Sequence, residues 1–204
     1  MLLSDNEIIK LVQSPRPLIA PFNEKHLQSA SYDVTLGDGI QEIVAMSGVV
    51  NLLDQRTVES VYDSVDISNG YILKPGQFVL CKIAERIELP DNIAAHIMPR
   101  TRFTRFGLLV SAQHCNPSYA GYLSIGLHNA SSNNVSLVPG MAVAQIVFEQ
   151  LSSEPSPERL YRNQKAARYH NEDAFIGSQF IDELSPQAKA IFEDMVSNLS
   201  GGVE

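Results

Sequence analysis

Residues 99–129, PRTRFTRFGLLVSAQHCNPSYAGYLSIGLHN, decide how the rest of the chain reads. Arg100, Arg102 and Arg105 fall within six positions of a protein whose formal net charge is −8. The stretch then passes through turn residues, Asn116, Pro117, Ser118 and Gly121, and into an alternating strand. Guanidinium groups are planar forks with about five N–H donors each, and they meet phosphate oxygens in pairs. Three of them in an acidic chain mark either a site for a multiply charged anion or a solvated, salt-bridged surface loop. Spacing alone leaves both open.

Outward from this stretch, the sequence after Ser31 breaks into short β-type runs about ten residues apart, punctuated by Gly, Pro and Asn. YDVTLG, QEIVAM, SVDIS, QFVLCKIA, AAHIM, GLLVSA, GYLSIGL, VSLV and AVAQIVF are such runs. The pattern predicts an all-β fold, an antiparallel sandwich or barrel. A weak repeat supports it: residues 73–81 (LKPGQFVLC) match residues 137–145 (LVPGMAVAQ) at an offset of 64. In each copy Pro-Gly suits the centre of a type II turn, because Pro fixes φ and Gly accepts φ > 0. Two equivalent hairpins in one β structure are expected.

The ends differ. Ser4 with Glu7, followed by Ile8, Ile9, Leu11 and Val12, is a capping box that predicts a short helix from about 5 to 13. Residues 155–180 are polar and basic with interleaved aromatics. Residues 181–199 then read as an amphipathic helix opened by Ser185-Pro186, with Leu184, Ala188, Ile191, Met195 and Leu199 along one stripe. That stripe is expected to dock on its own subunit or a neighbour. The division drawn is a main domain over 1–175 and a helical extension over 176–204.

Composition narrows the function. The 204 residues, 44% hydrophobic and 19% charged, describe an ordinary globular protein. A pI near 5.1 argues against general binding to nucleic acid or acidic membranes, so phosphate binding has to be local. Cys81 and Cys115 lie in apolar, strand-like surroundings and read as reduced structural thiols. With no apolar run of membrane-spanning length and no signal-peptide pattern, a cytoplasmic location is expected. Several chemistries lack their residues. No Cys-x-x-Cys exists for a zinc deaminase, and His114 and Cys115 are adjacent, so on a strand they face opposite ways. Walker, dinucleotide and nucleophile-elbow motifs are missing too, and no metal-ligand set is assigned.

Several segments in collinear order resemble the trimeric dUTPase and dCTP deaminase superfamily, most closely its dCTP deaminase branch. Ser31 to Gly37 is similar to that family's Ala/Ser-x-Asp-x-x-Leu-Gly strand, and Leu73–Gly76 and Ile87–Pro90 follow in order. Arg100 to Leu108 resembles its Arg-Ser-Ser-x-x-Arg-x-Gly-Leu phosphate motif, and Asn116 to Gly121 stands where the family has Asp-Pro-Gly-Trp-x-Gly. Pro139 to Glu149 resembles its last hairpin, and Tyr161 with Arg168-Tyr169 its closing tail.

The resemblance implies a distorted β-barrel or jelly roll, a homotrimer, and active sites between subunits that take a deoxynucleoside triphosphate with Mg²⁺ held by its phosphates. It assigns nucleotide and phosphate contacts to Arg100, Thr101, Arg102, Asn116, Tyr119, Tyr161, Arg168 and Tyr169. Arg105, with Thr101, would act in catalysis by positioning water and stabilising charge. The implied activity is hydrolysis of dCTP to dUTP and ammonia.

Two positions depart from the pattern. The family's proton-transferring glutamate falls on Gly126, and the aspartate that activates water in dUTPases falls on Asn116. The loop from Val110 to Asn116 is also two residues shorter. Three readings follow: a slipped register that brings up His114 or His128 as the base, a nucleotide-binding homologue without chemistry, or a protein acting on another nucleotide. A dUTPase-type diphosphohydrolase is a further enzyme alternative. A glycine at 126 would also admit close approach of a ligand or backbone, and a bulkier base.

Overall fold

The alternating runs pair into antiparallel ladders, with their apolar faces turned inward. In chain order the elements are α1 (Asp5–Val12), β1 (Ile19–Ala20), β2 (Tyr32–Ile43), α2 (Gln55–Glu59), β3 (Tyr62–Asp66), β4 (Tyr71–Leu73), β5 (Phe78–Glu88) and β6 (Ile93–Pro99). They continue with α3 (Thr101–Phe106), β7 (Leu108–Val110), β8 (Gln113–Cys115), β9 (Ala120–Asn129), β10 (Val135–Leu137), β11 (Ala142–Gln150) and α4 (Pro186–Ser200). This computed structural model describes residues 1–178, 180 and 184–200. One curled antiparallel sheet runs β7-β9-β5-β2-β11-β6-β8, with β1 added on β5 and β3 on β2. A separate ladder joins β10 to β4. The distorted-barrel expectation agrees with this architecture.

Alternation is clearest in β5, where Val79, Cys81, Ile83 and Ile87 are buried. Glu85 shares that inward face and is also buried. It is tolerated because Thr35 donates to its carboxylate twice, from N at 2.9 Å and from Oγ1 at 2.8 Å. The runs YDVTLG and QEIVAM form one strand rather than two. β2 carries a register shift between Leu36 and Ile40, and a Cβ on Gly37 would stand 2.9 Å from the carbonyl oxygen of Lys82. A glycine there lets β5 close on β2.

The repeat has a structural meaning. Leu73 and Leu137 are both fully buried, and their strands β4 and β10 pair with each other. Gly76 and Gly140 take φ of +75° and +81° at the two Pro-Gly turns. The N-terminal helix forms with its capping box intact: Ser4 N–H donates to Glu7 Oε2 at 2.8 Å. At the other end the helix starts at Pro186, with Ala188 N–H capped by Ser185 Oγ at 3.2 Å. The expected start at 181 lies outside the described residues. Ile191 and Met195 of its apolar stripe are exposed on the single chain. Cys81 and Cys115 are free and buried, and desolvation pushes each thiol up to about 12.

Candidate active site: a cationic cleft and a tail-covered cavity

The sequence PRTRFTRFG forms a short helix, α3, ended by Gly107 at φ +85°. Arg100, at the helix N-cap, is not free. Its Nη2 donates to Asp33 Oδ2 at 2.8 Å and its Nη1 to the carbonyl of Ala142 at 2.9 Å. Thr101 and Arg102 are exposed beside it. Together with Gln28, Ser31, Asp33 and Gln145 these residues line a cleft of about 350 Å³. Because Arg100 and Asp33 neutralise each other, the uncompensated positive charge of the cleft comes from Arg102. Arg105 lies in the last turn of α3, exposed and outside this lining.

The other predicted residues gather elsewhere. Asn116 and Tyr119 flank a turn closed by Tyr119 N–H to Asn116 O at 3.1 Å. Ser118 occupies its left-handed position at φ +65°, where the resembled motif has glycine. That backbone conformation costs a serine roughly 1 kcal/mol or more. The Ser118 hydroxyl compensates by accepting the Arg162 N–H at 3.1 Å, which fastens the C-terminal tail to the turn.

Further bonds sew down the tail. Asn171 N–H donates to Ala120 O at 2.7 Å, Tyr122 N–H to Glu172 O at 3.0 Å, and Arg162 forks onto the Asp91 carboxylate. This pairing holds Asp91 below the usual carboxylate range. Gly121, at φ +143°, permits the approach, since a Cβ there would meet Glu172 N at 2.9 Å.

Between tail and sheet lies a cavity of about 400 Å³. Asn116, Tyr119, Tyr161 and Tyr169 line it, with Gln113, His114, Leu80 and Ser124 on the sheet side and Glu172 and Phe175 on the tail side. The size is within the range of small-molecule sites. The Tyr119 and Tyr161 rings stand 5.8 Å apart, and Tyr161 packs edge-on to His170 at 6.2 Å. Burial raises both phenols above their ordinary range. Tyr119 is 5% exposed, and its buried hydroxyl has no partner among the described residues. The structure therefore brings Asn116, Tyr119, Tyr161 and Tyr169 together, and Arg100, Thr101 and Arg102 together, without merging the two groups in one chain. Arg168 is half-buried and lines neither opening.

Gly126 is not an open floor. A Cβ there would lie 2.7 Å from the Phe78 ring and 3.0 Å from Ser111 Oγ, so a side chain and not a ligand makes the close approach. The idea that glycine enlarges the site for a bulkier base loses its basis. Of the substitute bases, His114 lies at the exposed rim, its ring 4.9 Å from His96 and its Nε2 3.3 Å from Asn116 Oδ1. His128 pairs in register with Phe78 and does not line the cavity.

Sequence reasoning missed Glu172. An acidic residue inside the basic, aromatic tail, two places after His170, was the available signal, and it lacked a cysteine pair to give it meaning. Among the described residues no group of three or more His, Cys, Asp or Glu is placed to hold a metal.

Comparison with known proteins fits this architecture to a class: dCTP deaminase-like proteins built on a curled antiparallel β sheet. A profile of the dCTP deaminase-like family matches residues 2–151, so the chain belongs to that family. It is 31% identical over 199 residues to a dCTP deaminase, dUMP-forming, of Methanosphaera stadtmanae, covering 95% of both chains. It is 30% identical over 196 residues to a protein of the same name from Dictyoglomus thermophilum, covering 93% and 100%. A dCTP deaminase of Natronomonas pharaonis is 31% identical over 179 residues, covering 84% and 91%. In fold, the chain resembles the crystal structure of 2'-deoxycytidine 5'-triphosphate deaminase from Agrobacterium tumefaciens, with a TM-score of 0.60 and 19% identity. That match takes in 73% of this chain and 48% of the other, so this chain spans about half the length of that one. No helix among the described residues is long and apolar enough to cross a membrane.

Proposed function

We propose that this protein binds a deoxynucleoside triphosphate and deaminates dCTP, with phosphates at the Arg102 cleft and the base in the tail-covered cavity. The observation that carries the reading is the unpartnered, buried Tyr119 hydroxyl in a cavity of about 400 Å³ beneath a docked tail. A buried hydroxyl without a partner costs about 1–3 kcal/mol, and a polar ligand would supply that partner. The cleft and the cavity share no lining residue in one chain, so the proposal includes a homotrimer in which neighbouring copies complete each site.

Magnesium is proposed to arrive with the nucleotide. The cleft's carboxylate, Asp33, is already spent on Arg100, which leaves phosphate oxygens and water as the ion's ligands. There it would neutralise phosphate charge.

A second reading, a nucleotide-binding protein without chemistry, is favoured by Gly126 and Asn116 at the two positions where the family carries its bases. One assay separates the two. The protein is incubated with each deoxynucleoside triphosphate and Mg²⁺, and ammonia and pyrophosphate are followed separately. Ammonia from dCTP is expected. The relatives named dUMP-forming make pyrophosphate the second quantity to follow. Binding with neither product would support the silent reading.

A further inference from the structure

Among the described residues Glu172 is the one carboxylate lining the cavity, and it is 6% exposed. Its Oε1 accepts the Ile176 N–H at 2.9 Å, and it has no ion pair among the described residues. Its backbone is fixed by the bridge to Gly121, and the Tyr119 hydroxyl lies against the same point, 3.0 Å from where a Gly121 Cβ would be. A buried carboxyl group and a phenol hydroxyl without a partner among the described residues thus belong to the lining of one cavity.

The other exchangeable groups fit the chemistry less well. The Cys115 thiol is pushed up to about 12, and burial holds the Tyr119 and Tyr161 phenols protonated. A group that stays protonated near pH 7 cannot take a proton from water. The Tyr62 hydroxyl is engaged with Ser178 at 2.8 Å, and His114 is exposed at the rim. Burial raises the Glu172 carboxyl above its ordinary value, and the Ile176 N–H, then Lys82, partly oppose the rise. That brings the group toward the pH at which a carboxyl both takes and returns protons.

We propose that Glu172 is the proton-transfer group of this site, in place of the carboxylate missing at position 126. The inference rests on the deaminase reading above. Water oxygen bonds to C4 of the cytosine as Glu172 takes a water proton and passes it to N3. The second water proton goes by the same carboxylate to the exocyclic amine. The C4–N bond then breaks with its electron pair leaving on nitrogen, which yields ammonia and a carbonyl at C4.

The test uses Glu172→Gln in the full chain, because an amide still accepts the Ile176 N–H and keeps the tail docked. Ammonia release from dCTP with Mg²⁺ is expected to fall about 100-fold or more in kcat, while dCTP affinity changes by less than about threefold. The wild type should show an acid limb in its pH–rate profile that the variant lacks. An active variant with the wild-type acid limb would overturn the role of Glu172 and leave the deaminase reading standing. A wild type that binds dCTP and releases no ammonia would overturn both together.

Discussion

Arg100 Nη2 stands 2.8 Å from Asp33 Oδ2, with the two side chains 16% and 9% exposed. The arginine that the phosphate motif places first is therefore a clamp between β2 and the start of α3. Removing either partner of so enclosed a pair strands the other charge, and Asp33→Ala is expected to cost on the order of 3 kcal/mol. Arg102→Ala should leave stability within about 0.5 kcal/mol, because that side chain is exposed and no partner holds it among the described residues. It should nevertheless weaken dCTP binding about tenfold. Urea melts and calorimetric titration read the two effects. Equal loss of stability in both variants would contradict this division.

Gly121 is where the tail meets the sheet. Gly121→Ala forces a side chain onto φ +143° and puts a Cβ 2.9 Å from Glu172 N. A loss of about 1–3 kcal/mol is expected. Proteolysis within residues 155–178 should accelerate while the sheet stays protected. An unchanged digestion pattern would show that the bridge does not hold the tail.

The Phe78 ring fills the space above Gly126. Gly126→Ala should destabilise by about 1–3 kcal/mol through overpacking. Phe78 is 40% exposed, so Phe78→Ala alone should cost little. The double variant should recover stability relative to Gly126→Ala, a coupling that a double-mutant cycle measures. Additive effects would mean that the ring swings aside freely.

Glu85 gives a pH signature. Burial raises its carboxyl above the ordinary 4.5, with the two Thr35 bonds partly opposing. The folded protein thus binds the proton more tightly than the unfolded chain, and stability declines as pH rises from about 4.5 through the raised value. Glu85→Gln lacks that titration. The stability advantage of wild type over the variant should shrink between pH 4.5 and 7, measured by urea unfolding. An advantage that grows with pH would contradict the raised carboxyl.

Much of the fold was legible because strands announce themselves by alternation: Val79, Cys81 and Ile83 on one face of β5, and Ser4 with Glu7 at the helix start. The Pro-Gly repeat even marked the two segments that pair. What stayed hidden depends on partners distant in sequence. Nothing near Arg100 says that Asp33, 67 positions earlier, neutralises it. Gly126 reads as empty space until Phe78, from another strand, occupies it. Glu172 gains its meaning only when Gly121 draws the tail against the sheet.

The central claim is that the arginine cleft of one copy and the cavity of its neighbour form one nucleotide site. Co-expression of Arg102→Ala with Glu172→Gln tests it directly, with ammonia release from dCTP measured on the mixed assemblies. Random assembly of trimers pairs an intact cleft with an intact cavity at about a quarter of the sites. With dCTP held well below its dissociation constant, so that weaker binding appears as lost rate, recovery of activity toward that level, above that of either variant alone, is the predicted result. Mixed assemblies no more active than the two variants assayed separately would contradict a shared site.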